Sequence, residues 1–125
     1  VLAEDESEYG IGIHGEPGYR KESMQPSRQL AEELTGKLFE AFEAKAGERY
    51  ALLINGMGAT PLMEQYVFAN DVASILGDAG LDMAYKKLGN YMTSIDMAGL
   101  SLTLMKIEDE AWLEALESPV KTIAW

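Results

Sequence analysis

One imidazole exists in the 125 residues, that of His14. It stands in YGIGIHGEPG, residues 9–18, with Gly12 and Gly15 close on either side. Near neutral pH much of an imidazole is uncharged, so it can act as nucleophile, base or metal ligand. Glycine neighbours leave such a ring unobstructed. A lone histidine in a domain is more often a surface residue or a satisfied core residue, and the residues by themselves leave both readings open.

A second segment with chemical potential is NGMGATP, residues 55–61, which joins an apolar run to a helix start. Backbone N–H groups at a helix start can receive an anion. The lysine and spacing of a Walker motif are missing, and tight-turn chemistry explains the glycines equally well. Glu16, Glu64 and Asp96 are candidate acids or bases, with nothing in their spacing to pair them. Metal-ligand spacing is absent and so is cysteine, which excludes thiolate sites and disulfides. The seven methionines fall at scattered apolar positions and read as core filler.

The elements that position these residues follow from periodicity. Residues 1–8 are half acidic and read as a solvated lead-in; a short strand then starts at Tyr9 and breaks at Gly15, placing His14 at a strand end. In an α/β sheet that is where ligands bind. Ser27 is the expected N-cap of a helix carrying Leu30, Leu34, Leu38, Ala41 and Phe42 to about Lys45, with Gly47 as its stop. YALLIN, residues 50–55, reads as a strand buried on both faces. Thr60 and Pro61 then suit the N-cap and first position of a helix with Leu62, Tyr66, Ala69, Ala73 and Leu76 inward, ended by Gly80. Strands are expected over 81–92 and 100–107, the second with Leu100, Leu102 and Leu104 on one face. A short helix over 109–117 turns Trp112, Leu113 and Leu116 inward, and 120–125 forms a strand or tail. The order β-α-β-α-β-β-α predicts one α/β layered domain across 1–125, a mixed β-sheet with flanking helices.

Composition narrows the function classes. Apolar residues make up 47% and charged residues 25%, a globular balance. A net charge of -11 repels phosphate backbones and anionic bilayers, so no nucleic acid and no membrane is expected as partner. No apolar run nears the ~20 residues of a membrane helix, and a cytoplasmic location is the expectation. The first residue is Val1 rather than Met, which suggests part of a longer protein.

Three stretches carry a family resemblance. GIGIHGEPG (10–18), NGMGATPLMEQY (55–66) and YMTSIDMAGLSLTLMKIEDE (91–110) resemble, in order, signature stretches of the dihydroxyacetone (glycerone) kinases. The similarity is to the carboxy-terminal part of their substrate-binding subunit or domain, so residues 1–125 are expected to lack the amino-terminal portion. The resemblance implies that His14 is the covalent substrate anchor, its ring adding to the carbonyl of dihydroxyacetone as a hemiaminal before phosphorylation. It implies an acid-base aspartate and a second histidine upstream of Val1, and an isolated chain without kinase activity. No cofactor or metal is expected on this chain; ATP or ADP with Mg2+ belongs on a nucleotide-binding partner subunit or domain. The phosphoryl donor is ATP or a phosphotransferase-system protein, and the full-length protein is expected to be a homodimer. The alternative is a dihydroxyacetone-sensing paralogue that acts as co-activator of a transcription regulator. Either way, His14 should be exposed at a concave edge, and an apolar patch should show where the remainder packs.

Overall fold

A computed structural model describes residues 2–125. The elements are β1 (Glu6–Tyr9), β2 (Arg20–Ser23), α1 (Ser27–Phe42), β3 (Arg49–Gly56), α2 (Leu62–Asp78), β4 (Asp82–Gly89), β5 (Leu100–Lys106) and α3 (Glu110–Glu117). The expected α/β class and element order hold, with the first strand doubled into a hairpin of β1 and β2.

That hairpin begins earlier than the sequence suggested. Pairing runs from Glu6↔Ser23 to Tyr9↔Arg20, inside the segment read as a lead-in, and 10–18 is loop. Cross-strand chemistry accounts for the shift: Glu8 faces Lys21 across the pair, with a 3.7 Å ion pair between them. The glycines downstream offer no such side-chain partners.

The main sheet has the order β4-β3-β5. β3 runs parallel to β4, linked through α2, and antiparallel to β5. As expected, β3 is buried on both faces. Tyr50, Leu52 and Ile54 meet Ala31 of α1, Phe68, Val72 and Leu76 of α2, and Leu104 of β5. On the other face Ala51 packs with Ile107 and with Leu113 of α3. The molecule is thus helix pair, sheet, single helix.

The buried row of α2 is Gln65, Phe68, Val72 and Leu76, while Leu62 and Tyr66 face outward. Both rows are apolar enough to be core, and the sheet selects one. Trp112 of α3 is likewise turned out, with Leu113 buried.

Helix starts also differ from expectation. Pro26 and Pro61, not Ser27 and Thr60, occupy the N-cap positions, without side-chain caps. Proline's fixed φ and an extended ψ suit that junction. Ser27 is freed to donate to Asp71 Oδ2 at 2.6 Å, tying α1 to α2, and Thr60 Oγ1 donates to Gly99 O at 2.7 Å. α1 ends at Phe42, before Lys45, because Glu43 turns left-handed and the Ala44 N–H closes on Phe39 O. β4 stops at Gly89, short of Met92. Residues 120–125 form no strand; Trp125 lies against Tyr91 and Lys87.

Candidate functional site

His14 lies on the loop of the β1–β2 hairpin, outside the three-stranded sheet, not at one of its strand ends. Its side chain is 87% exposed. The loop is closed at its base by Tyr19 N–H donating to Tyr9 O at 2.8 Å and Gly18 N–H donating to Glu8 Oε1 at 2.9 Å. Inside it, Gly12 N–H donates to Glu16 O at 2.9 Å and Gly15 N–H to Gly12 O at 3.1 Å. These bonds tie the loop backbone together, and the imidazole itself projects into solvent.

Glu16 is the carboxylate brought to that ring. One oxygen accepts the His14 backbone N–H at 3.0 Å, and the other lies 3.5 Å from Nδ1. Gly12 makes room for it: a Cβ there would stand 2.0 Å from Glu16 Oε2. The contact is at ion-pair distance, with no hydrogen bond to the ring, and it sets Nδ1 toward Glu16 with Nε2 on the side away from it. Glu64 and Asp96 are exposed, and among the described residues neither shares a hydrogen bond or ion pair with His14. Of the three candidate carboxylates, the fold brings only Glu16 to the histidine.

The hairpin is anchored to α1 by aromatic and ionic contacts. Tyr19 donates its hydroxyl to Glu33 Oε1 at 2.8 Å, and Arg20 pairs with both Glu22 and Glu33. The Arg20 guanidinium sits 4.9 Å over the Tyr9 ring. Burial, then the hydrogen bond to Glu33 and its charge, push the Tyr19 hydroxyl up to about 12. Burial, followed by Glu22, raises Tyr9 as well. An open cleft of about 480 Å³ beside these residues is lined by Glu32, Glu33, Glu40 and Lys37, and His14 does not border it.

The 55–61 loop is not an anion cradle. Met57, Gly58 and Ala59 donate their N–H groups to the carbonyls of Gly99, Ser94 and Met97, at 2.9, 2.8 and 3.2 Å. Thr60 N–H returns to Met57 O at 3.0 Å. The loop's own donors from Met57 to Thr60 are thus all spent, three of them on the 90–99 loop. Gly58 permits the approach, since a Cβ there would lie 2.1 Å from Ser94 O.

Asn55 completes this junction in a role that the sequence reading missed. Its Oδ1 accepts Tyr91 N–H and Met92 N–H at 2.8 and 2.9 Å, and its Nδ2 donates to Met92 O at 2.7 Å. Buried Gln65 donates to Asn90 Oδ1 at 2.7 Å and to Thr60 O at 3.2 Å. The available signal was a polar residue closing an apolar run, Asn55 after Tyr50 to Ile54, and an amide on a helix row otherwise filled by Phe68, Val72 and Leu76.

Among the described residues no group of three or more His, Asp or Glu side chains is placed to hold a metal ion. No helix among them is long and apolar enough to cross a membrane. Large apolar side chains are exposed at scattered points of the described surface, not in one patch; among them are Ile11 and Ile13 beside His14, Met63 and Tyr66 on α2, and Met92 with Ile95 in the 90–99 loop.

With this geometry established, comparison with known proteins adds the following. The Dak1 domain family matches residues 1–124. The PTS-dependent dihydroxyacetone kinase, dihydroxyacetone-binding subunit DhaK, of Lactococcus lactis is 60% identical over 125 residues, which is 100% of this chain and 38% of that protein. The DhaKLM operon coactivator DhaQ of the same organism is 50% identical over 127 residues, covering 100% of this chain and 39% of the coactivator. A solved structure concerned with regulation of the dha operon of Lactococcus lactis superposes with a TM-score of 0.90 at 48% identity, over 99% of this chain and 40% of that one. The chain thus spans about two-fifths of the length of the relatives it matches.

Proposed function

This chain belongs to the Dak1 domain family, and from that premise we propose that it is part of a dihydroxyacetone-binding kinase subunit in which His14 holds the substrate covalently. The observation that carries the reading is an exposed imidazole whose Nδ1 faces Glu16 at 3.5 Å while Nε2 is left to solvent. In the proposed step the Nε2 lone pair attacks the central carbon of dihydroxyacetone. The C=O π pair moves to oxygen, which takes a proton from solvent, and a C–N bond forms. The ring becomes cationic until Nδ1 loses its proton, and the Glu16 carboxylate stabilises that charge or accepts the proton. Attachment fixes a three-carbon substrate that otherwise offers few contacts, which positions its hydroxyl for phosphoryl transfer.

The remaining chemistry belongs outside residues 1–125. In this reading acid-base groups come from the rest of the full-length subunit, and ATP or ADP with Mg2+ is carried by a partner subunit or domain. The full-length protein is a homodimer working in the cytoplasm. A PTS-dependent donor is favoured by the name of the 60% identical relative. A second reading, a dihydroxyacetone-sensing co-activator, is favoured by the 50% identity to DhaQ. It uses the same His14 without phosphorylation.

The test is intact-protein mass spectrometry on the full-length protein. Incubation with dihydroxyacetone should add the mass of one substrate in spectra recorded under non-denaturing conditions, and glycerol should add nothing because it lacks a carbonyl. His14→Ala should remove the adduct. An adduct that survives in His14→Ala, or that maps to Lys21, would overturn the assignment. Turnover to the phosphate with the nucleotide-binding subunit present separates kinase from sensor.

A further inference from the structure

The outer edge of β5 is an open hydrogen-bonding ladder. Ile107 N–H donates to Arg49 O at 2.8 Å, and Met57 N–H donates to Gly99 O at 2.9 Å. Both contacts obey the β3–β5 register, in which Leu52 faces Leu104 and Leu53 faces Thr103. Residues alternate along an antiparallel pair between those bonded to the partner and those turned the other way. Counting from the two ends, Ser101, Thr103 and Met105 bond to β3. Leu100, Leu102, Leu104 and Lys106 therefore direct their N–H and C=O groups away from the sheet, and among the described residues no hydrogen bond receives them.

Nothing in β5 protects that edge. Proteins blunt free edges with charges, proline, bulges or a covering segment. β5 reads LSLTLMK, with Lys106 as its single charge and no proline or bulge. The opposite edge strand, β4, carries Asp82, Lys86 and Lys87 and contains the irregularity near Tyr50 and Ala51. The end of the chain also returns to it, with the Lys87 ammonium 3.5 Å from the Trp125 ring centroid. One edge is managed and the other is left as a template.

We propose that β5 is an internal strand in the full-length protein, and that its outer edge is paired with a strand from the portion lying outside residues 1–125. Three-fifths of the length of the matched relatives lies beyond what this chain covers, which supplies the occupant. The apolar side chains on β5 support it. Leu100 and Leu102 pack against the core yet stay half-buried, as they would at a seam that a further strand and its side chains complete. The sheet of this chain is then one part of a larger sheet, and β5 is the joint.

Hydrogen exchange read at single residues in the full-length protein tests this, with the amides of Thr103 and Met105 as internal controls. The amides of Leu102 and Leu104 should exchange as slowly as those controls. Fast exchange at Leu102 and Leu104 beside slow exchange at Thr103 and Met105 would show an open edge and overturn the proposal. A photo-reactive benzoylphenylalanine in place of Thr103 identifies the occupant. A cross-link to a peptide outside residues 1–125, at the mass of one chain, supports the proposal. A product at twice that mass, joining two β5 strands, would assign the edge to a second copy and overturn it.

Discussion

Two glycines near the candidate sites differ in what surrounds them, and the difference predicts unequal outcomes. A Cβ at Gly12 meets the Glu16 side chain of an exposed loop, its carboxylate oxygen at 2.0 Å and its Cβ at 2.8 Å, whereas a Cβ at Gly58 meets the backbone oxygen of Ser94 at 2.1 Å. Gly58→Ala should therefore lower the stability of the full-length protein by about 1–3 kcal/mol, read as a fall in the urea midpoint. Gly12→Ala should cost less, about 1 kcal/mol, because the exposed loop can shift, and it should move Glu16 off His14. In the proposed chemistry Glu16→Gln and Gly12→Ala both slow adduct formation modestly. An exposed ion pair contributes at most about 1 kcal/mol, so the rate should fall by about 2–5-fold. His14→Ala removes the nucleophile and should abolish the adduct. Time courses of adduct formation in the three variants distinguish the roles, and a Glu16→Gln variant as dead as His14→Ala would make Glu16 more than a positioning residue.

Between elements, the junction of β3 with the 90–99 loop is held by polar groups, not by apolar packing. Asn55 supplies two acceptor contacts and one donor contact to the backbone of Tyr91 and Met92, as a neighbouring strand would. Asn55→Ala leaves those backbone groups without partners in a part-buried place. It should cost about 2–3 kcal/mol, with an unchanged denaturant slope. Asn55→Asp retains both acceptor contacts but buries a carboxylate and sets its second oxygen against Met92 O, so it should not restore the parent's stability. A midpoint for Asn55→Ala within error of the parent would show that the loop holds itself.

Across the whole molecule, pH dependence follows from groups whose ionisation the fold shifts. Glu48 is held below the usual glutamate range by Lys106 and by the Lys45 N–H, and Lys106 is raised by Glu48. The carboxylate's contribution is present above its unfolded value near 4.5 and is lost as pH falls through the lower folded one. The ammonium's is present below about 10.5 and is lost as pH rises through the higher folded one. Tyr9, Tyr19, Tyr50 and Tyr91 are all raised from about 10, so their neutral forms favour the fold until pH climbs past that value. Stability should be level between these limits and fall at both ends. Phenolate absorbance should show Tyr19 ionising near 12, and Tyr19→Phe should remove that step. At the same scale, residues 1–125 by themselves should turn over no dihydroxyacetone with ATP and Mg2+, since the reading places phosphoryl donor and acid-base groups elsewhere. Turnover by the purified chain would refute it.

The sequence alone determined the α/β order, because local periodicity marks a buried run such as 50–55 and helices such as α1 and α3 without reference to anything distant. It also marked the single imidazole and its glycine setting, since residue type and immediate neighbours are all that such a reading needs. The tertiary structure decided what depends on distant partners. It chose the Gln65, Phe68, Val72 and Leu76 row of α2 over an equally apolar one, because only the sheet discriminates between them. It made 6–9 a strand, because the pairing partner Arg20–Ser23 lies across a loop. It turned the 55–61 loop from an anion candidate into a structural joint, because its donors meet carbonyls some 40 residues away along the chain. Hydrogen-bond donors look alike in a sequence, and whether they are free or spent is a property of the folded chain.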